Sequence, residues 1–250
     1  AVSGGQLYMD NRVKYLDYTT KGYPFVISFS SETRTKSTAF ISDWVPFEGF
    51  NRSVLKSTYI FNNHTTINHR KKEYNFNDKV KHETTDLGFK YTIENQEAIV
   101  SEDYAPSIIE ITPRVKIALD QFSLKGVKGS AKNWSDFGAW QYDDLLKDRD
   151  VINDATKQKV GELISDAKTE REKIKRIYNY VQNNTRYVGV QLGIGGWQPI
   201  EANEVDKVKY GDCKGLTNYT KALLKSQGIA SNYSGVYAGT RKRNLDRDFA

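Results

Sequence analysis

The chain has 250 residues, which is enough for one large domain or two of ordinary size. Its net charge of +6 is modest, and acidic residues are interleaved with the Lys and Arg, which argues against nucleic acid as a partner. No run of about 18 apolar residues occurs, so we expect no transmembrane segment. A single cysteine excludes an internal disulfide and leaves the cellular compartment open.

The first half of the chain has the alternation of apolar and polar residues that is typical of half-buried strands. The clearest stretch runs from Leu87 to Ile93, with apolar side chains at every second position. Weaker versions occur at 25–29, 55–61, 109–111 and 115–119. Short strands separated by polar turns predict an antiparallel β-sandwich over residues 1–124.

A small, polar, glycine-rich stretch at 125–132 is typical of a linker, and we place a domain boundary there. An aromatic segment from Trp134 to Tyr142 follows, and Ser135 is a candidate N-cap for a short helix. We interpret residues 125–152 as a linker and a helix that docks it on the next domain, in preference to an aromatic binding platform.

All three histidines lie in the first half, at His64, His69 and His82. Their spacing matches no zinc pattern, and a metal site needs several ligands that converge. We interpret them as surface residues of strands or turns. The sequence therefore predicts no metal and no cofactor.

The second half, 153–250, has helical periodicity. We expect helices over 154–164 and 201–208. Between them, a capping box at Thr169 and apolar residues at helical spacing predict a helix that ends at Asn183-Asn184. The glycine-rich segment 193–196 lacks the residues of a phosphate-binding loop.

The lone cysteine, Cys213, lies at a predicted helix start. Gly211 supplies a turn, Asp212 is a good N-cap, an apolar stripe at helical spacing follows, and Gly228 ends the helix before a predicted strand at 230–239. Free backbone N–H groups at a helix start stabilise a negatively charged sulfur. The alternative is a small buried residue at a helix start.

The stretch from Tyr210 to Lys214, Tyr-Gly-Asp-Cys-Lys, resembles the nucleophile motif of bacterial transglutaminase-like proteins of the papain-like superfamily. The segments that begin at Arg186 and Trp197 fit the same family. The β-rich half, including Trp44, is similar to the DUF3857 domain that precedes such domains in envelope proteins of Bacteroidetes-type bacteria. The fold class implied is α+β, a β-sandwich followed by the helical first part of a transglutaminase-like domain at 153–250.

The resemblance implies that Cys213 is the nucleophile and that its own N–H is one oxyanion donor. A second donor would come from Gln191 or Trp197. A histidine on a following strand would be the base, and an Asp would orient it. No histidine follows Cys213. We therefore expect a chain cut before that histidine, or else a natural pseudo-enzyme.

The expected activity is that of a cysteine-nucleophile hydrolase or acyltransferase acting on peptide amide or isopeptide bonds in the cell envelope, periplasmic or exported. This piece should be inactive alone. Its partners would be a peptide or protein substrate and the missing remainder of its own chain. The alternative is a non-catalytic envelope module whose β-sandwich recognises protein or glycan, with aromatic residues as a platform, such as Tyr8, Tyr15, Tyr23 and Tyr104. An RNA partner is the weakest hypothesis.

Overall fold

The computed structural model describes residues 8–9, 15–236 and 245–250. The chain divides into two compact units. The helical unit comprises residues 1–34 and 138–245, and the β-rich unit comprises residues 35–137 and 246–250. The α+β class is confirmed, since helices and small, mostly antiparallel sheets both occur. The domain bounds predicted above stay a prediction.

The described residues form six α-helices, one π-helix, one 3-10 helix and eleven strands. The α-helices are α1 (Ile108–Ile111), α2 (Trp134–Trp140), α3 (Asp154–Leu163), α4 (Glu170–Asn184), α5 (Ala202–Val208) and α6 (Cys213–Ser226). The π-helix covers Gln141–Leu146 and the 3-10 helix covers Gly193–Gly196. The strands are β1 (Tyr8–Met9), β2 (Val54–Asn62), β3 (His69–Tyr74), β4 (Lys81–Thr85), β5 (Gly88–Gln96), β6 (Arg114–Leu119), β7 (Gln121–Leu124), β8 (Val127–Ser130), β9 (Arg186–Tyr187), β10 (Val190–Gln191) and β11 (Tyr210–Gly211).

Two antiparallel sheets build the core of the β-rich unit. One has the order β2-β5-β4 and the other pairs β3 with β6. Tyr91 and Ile93 of β5 and Val115 and Ile117 of β6 are buried together in one cluster with Trp44. The alternation seen in the sequence is therefore confirmed as strand pattern over 88–93 and 115–119, because one face of each strand is buried. Leu87, which the pattern included, is exposed in the turn before β5. The sandwich itself stays a prediction.

Two predicted strands are wrong. Residues 25–29 form no strand, and Phe29 is 91% exposed. Alternation alone cannot form a strand without a partner that supplies the ladder hydrogen bonds. Ile109 and Ile111 lie in the single-turn helix α1, which Ser107 begins by a capping box with Glu110.

The stretch expected to be a linker is a hairpin instead. Residues 121–124 and 127–130 pair as β7 and β8, so 125–132 does not connect two domains as a free segment. Lys125 (φ 50°) and Gly126 (φ 96°) both have positive φ, which suits the tight turns that join hairpin strands. A Lys-Gly turn between short strands is as small, polar and glycine-rich as a linker, and for this reason the sequence predicted a linker at 125–132.

The aromatic helix exists but its cap differs from the one predicted. α2 begins at Trp134, and the side chain of Asn133 accepts a hydrogen bond from the backbone N–H of Asp136 at 2.9 Å. Ser135 is inside the helix. The predicted role of α2 in docking on the next domain stays a prediction.

The helices of the second half follow the sequence closely. α3 and α5 match the predicted helices to within one residue, and α4 ends at Asn184 as expected. Thr169 caps α4 by accepting from Glu172 N–H, while the Glu172 carboxylate accepts from Lys168 N–H at 3.0 Å. The buried faces of α3, α4, α5 and α6 form the core of the helical unit. No described helix is both long enough and apolar enough to cross a membrane.

Candidate functional site

The chain enters the site through a left-handed residue. α5 ends at Val208, and Lys209 (φ 55°) turns the backbone so that β11 can begin at Tyr210. The N–H of Lys209 donates to Val205 O, and the Lys209 carbonyl accepts from Arg186 N–H at 2.9 Å. The turn is thus fixed on both sides before the chain reaches Cys213.

A short parallel pair positions the residues immediately before the cysteine. In the register of β9 and β11, Tyr210 is opposite Arg186 and Gly211 is opposite Tyr187. Val188 N–H donates to Gly211 O at 3.0 Å. The Arg186–Val188 segment, which carried part of the resemblance, therefore lies directly beside the Cys213 motif.

Asp212 is the N-cap of α6, as predicted. Its Oδ1 accepts from the backbone N–H of Gly215 at 2.9 Å, and its backbone carbonyl accepts from Leu216 N–H. Oδ2 forms an ion pair with Lys214 Nζ. The Asp212 residue is 1% exposed, so this pair neutralises a carboxylate that is out of water.

Cys213 is the first residue of α6 and is exposed. This corrects the alternative of a buried structural cysteine. The first N–H groups of a helix lack partners within it and carry its partial positive charge. The thiol is therefore accessible beside groups that stabilise an anion.

Two glycines at this turn lie next to neighbouring elements, and a Cβ at either position would make ordinary van der Waals contacts. A Cβ on Gly211 would lie 3.4 Å from the backbone nitrogen of Leu216 and 3.5 Å from its side chain. Gly215 is buried against Ile200 and Val205, with a Cβ position 3.6 Å from each. The start of α6 is therefore packed closely against the loop before it and against α5.

Tyr233 lies near the cysteine, and the sequence did not single it out. Burial raises the pKa of Tyr233 to about 12, and the charges of the nearby Cys213 and Asp212 add to the shift. The predicted strand at 230–239 is wrong over 230–236, which is described and carries no strand, while 237–239 lies outside the described residues. Only an assembled structure reveals the proximity of Tyr233.

A buried carboxylate, Asp206, supports α6 from α5. Asp206 accepts hydrogen bonds from Thr156 Oγ1 (2.7 Å), Tyr219 Oη (2.6 Å) and Lys209 Nζ (2.7 Å). Burial by itself raises the pKa of Asp206, but these hydrogen bonds outweigh it and lower the pKa to about 2. Burial, and then the same hydrogen bond to Asp206, raise the pKa of Tyr219. One ionised carboxylate thus joins α3, α6 and the Lys209 turn.

A second buried polar contact fixes the middle of α6. The Asn218 side-chain amide donates to Arg149 O at 2.8 Å, and Arg149 O also accepts from Ala202 N–H. Asn218 is buried, so its amide would cost free energy without this partner.

The two residues proposed as second oxyanion donors lie in the segment between α4 and α5. Gln191 is half-buried in β10, opposite Met9 in the parallel pairing with β1. Trp197 follows the 3-10 helix and is 37% exposed, and its backbone N–H donates to Ile194 O. Their proposed role stays a prediction.

The three histidines belong to the β-rich unit. His69 is in β3, His82 is in β4, and His64 is exposed between β2 and β3. His82 stacks on Tyr91 with ring centroids 4.7 Å apart. Across residues 15–236 and 245–250, no group of three or more His, Cys, Asp or Glu side chains is placed to hold a metal ion.

A match to a family model supports the interpretation of the residues around Cys213. Residues 157–248, which include Cys213, match the family model of the transglutaminase-like superfamily. A solved structure of a candidate protease from Parabacteroides distasonis aligns with 64% of this chain at 18% identity and a TM-score of 0.45. The aligned part spans 30% of that protein's length. No curated protein matches the chain. Residues 157–248 are therefore a transglutaminase-like segment.

Proposed function

We propose that the protein is a cysteine-nucleophile hydrolase or acyltransferase that acts on peptide amide or isopeptide bonds, with Cys213 as nucleophile. The observation that carries the proposal is the exposed Cys213 thiol at the first residue of α6, in a turn that Asp212 closes. The match of residues 157–248 to the transglutaminase-like superfamily supports it.

The first chemical step is acyl transfer to sulfur. The Cys213 thiolate attacks the carbonyl carbon of the substrate, and the carbonyl oxygen becomes an oxyanion that the Cys213 N–H stabilises. The tetrahedral intermediate then collapses to a thioester and expels the amine, which needs a proton to leave. Hydrolysis of the thioester by water, or its attack by a second amine, completes the reaction.

The proton transfers require a base, and the family's base is a histidine that comes after the nucleophile in the sequence. No histidine follows Cys213 in the sequence. We therefore propose that the 250-residue chain forms a thioester with activated substrates but does not turn over amides. A histidine on a strand after α6 and an Asp that orients it, as the resemblance implies, would complete the site.

The finer aspects of the assignment are also proposals. The β-rich unit is assigned to the DUF3857 type and the protein to the cell envelope of a Bacteroidetes-type bacterium, both on the resemblance of the sequence alone. Gln191 or Trp197 is proposed as the second oxyanion donor.

The test is the reaction of the chain with a p-nitrophenyl ester of a short peptide. A p-nitrophenolate leaving group needs no proton, so the first step can proceed without a base. We expect a burst of about one equivalent of p-nitrophenolate per chain, followed by slow release, because acyl-enzyme accumulation is the sign of a covalent intermediate. Peptide mapping by mass spectrometry should place the acyl group on Cys213.

Cys213→Ala is the control, since lysine amines also react with activated esters. A burst of equal size from this variant would contradict the proposal. Added imidazole provides a second test, because a small-molecule base should accelerate release of the acyl group from the wild-type chain more than it accelerates hydrolysis in the Cys213→Ala sample.

A non-catalytic binding module is the alternative that these results would favour if the burst were absent. The aromatic residues considered for such a platform are exposed where they are described, as for Tyr23 and Tyr104. They are divided between the two units, with Tyr15 and Tyr23 in the helical unit and Tyr104 in the β-rich unit. Aromatic exposure by itself therefore does not define one surface.

A further inference from the structure

The sheet formed by β3 and β6 carries a face rich in cations. We call the surface formed by Arg70, Lys72 and Tyr74 of β3 and by Arg114 and Lys116 of β6 the basic face. Tyr74 is opposite Arg114 and Lys72 is opposite Lys116 in the antiparallel register. Three cations surround the Tyr74 ring, with Arg114 Cζ at 4.2 Å, Lys72 Nζ at 5.3 Å and Lys116 Nζ at 5.9 Å from its centroid.

Strand alternation separates the basic face from the core. The other side chains of β3, those of His69, Lys71 and Glu73, contact Phe89 or Tyr91 of the neighbouring sheet. Their partners on β6, Val115 and Ile117, are buried. Because successive side chains point to opposite faces of a strand, Arg70, Lys72 and Tyr74 point away from that core.

The basic face is occupied by the segment 246–250, whose first residue makes the closest contacts. Lys72 Nζ donates to Asp246 Oδ1 at 2.7 Å, and the Tyr74 hydroxyl donates to Asp246 Oδ2. Trp134 Nε1 donates to the Asp246 backbone oxygen at 2.6 Å. The Asp246 side chain is 13% exposed, so its carboxylate is held in a pocket of donors.

The end of the same segment contacts Arg70. The guanidinium lies 5.4 Å from the centre of the Phe249 ring and donates to Ala250 O at 3.3 Å. Asp248 is different, because its carboxylate is 89% exposed and 3.8 Å from Lys72. The basic face thus contacts the segment at the Asp246 carboxylate and, three residues later, at the Phe249 ring.

Charge complementarity favours this occupant. Asp120 forms an ion pair with Arg70, and Asp43 lies near Lys116 and Arg114. These two carboxylates balance half of the four cations. Asp246 supplies the negative charge that Lys72 contacts directly, whereas the 3.8 Å pair of Lys72 with exposed Asp248 is screened by water and adds little. Burial by itself raises the pKa of Asp246, but the hydrogen bonds from Lys72 and Tyr74 outweigh it and lower the pKa to about 2.

We propose that the basic face is a recognition site for an acidic peptide segment with an aromatic residue three positions after its key carboxylate, and that its occupant is the chain's own segment 246–250. The β-rich unit therefore recognises residues that come directly after the helical unit in the sequence, in addition to any substrate that Cys213 acts on. This inference is independent of the proposed catalytic function.

The test uses a fluorescein-labelled peptide with the sequence of residues 245–250 and an amidated end, titrated against the full chain and followed by fluorescence anisotropy. In the wild-type chain the resident segment competes at a high effective concentration, so the probe should bind weakly. In the Asp246→Asn chain the resident segment loses its charge-assisted contacts, and the probe should bind about tenfold more tightly. Asp248→Asn is the matched control and should behave like the wild type.

Two further measurements, probe binding to double variants and hydrogen exchange, test the same contact between Tyr74 and Asp246. A probe with Asn at the position of Asp246 should not bind the Asp246→Asn chain, and adding Tyr74→Phe to that chain should weaken binding of the native probe. Hydrogen exchange of segment 245–250 should be faster in a Tyr74→Phe chain than in the wild type. Equal affinity of the probe for the wild-type, Asp246→Asn and Asp248→Asn chains, or unchanged exchange in Tyr74→Phe, would overturn the proposal.

Discussion

Asp212 Oδ1 accepts a hydrogen bond from the backbone N–H of Gly215 at 2.9 Å, and this bond closes the first turn of α6 around Cys213. The other carboxylate oxygen is paired with Lys214 Nζ. The buried side chain of the residue before the cysteine therefore contacts both of the residues that follow it. These contacts hold the backbone around Cys213 and involve no atom of the thiol itself.

Replacement of Asp212 tests this cap. Asp212→Ala removes the N-cap and leaves Lys214, whose side chain is 12% exposed, without its partner. We expect a loss of about 2–4 kcal/mol in the free energy of unfolding, measured in urea. Asp212→Asn keeps an oxygen that can accept from Gly215 N–H, so its loss should be clearly smaller. Equal losses in the two variants would show that the ion pair, and not the cap, stabilises the turn.

Asp206 should make stability depend on pH in the acid range. Its folded-state pKa, about 2, is below the ordinary value of 3.8. A depressed pKa means that the contribution to stability is present in full above the unfolded-state pKa and is lost as the pH falls through the folded-state pKa. We expect about 2 kcal/mol of the free energy of unfolding to disappear between about pH 5 and pH 2 on account of this group.

Unfolding measured at a series of pH values checks this. The Asp206→Asn variant should be less stable than the wild type at pH 7, and the difference should shrink toward pH 2. Asp154→Asn is the matched control, since Asp154 is 95% exposed in its pair with Lys157 and its replacement should leave the pH dependence of stability nearly unchanged. A constant difference between wild type and Asp206→Asn at all pH values would contradict the account.

Tyr233 should report the charge state of the cysteine. Because a negative charge on Cys213 disfavours ionisation of the Tyr233 hydroxyl, Cys213→Ser should lower the pKa of Tyr233 from about 12 toward the ordinary value. NMR titration of chains with carbon-13 in the tyrosine ring measures this, and Tyr233→Phe assigns the resonance. Cys213→Ser without effect on the Tyr233 titration would contradict a contribution from Cys213 and leave burial and the charge of Asp212 as the causes.

The sequence predicted the start of α6 well because its signals are local. Gly211, the cap residue Asp212 and the stop at Gly228, which has φ 73°, all act on their immediate neighbours. Helix propagation and capping need no distant partner, so the pattern and the structure agree.

The features that sequence reasoning missed depend on distant partners. Asp206 and Tyr219 are 13 residues apart and Thr156 is 50 residues from Asp206, so their hydrogen bonds follow from the packing of α3, α5 and α6. Residues 25–29 form no strand although their pattern predicted one. A strand also depends on a distant partner, because it forms only where another strand pairs with it. The contact of Asp246 with Lys72 joins residues 174 apart.

The measurement that tests the central claim most directly is the rate at which iodoacetamide alkylates Cys213 in the folded chain and in the same chain unfolded in urea, at one pH and temperature. Since Cys213 is the only cysteine, mass spectrometry counts its adduct without interference. If the start of α6 activates the exposed thiol, the folded chain should react at least about fivefold faster than the unfolded chain. A folded chain that reacts at the same rate or more slowly would contradict the assignment of Cys213 as the nucleophile.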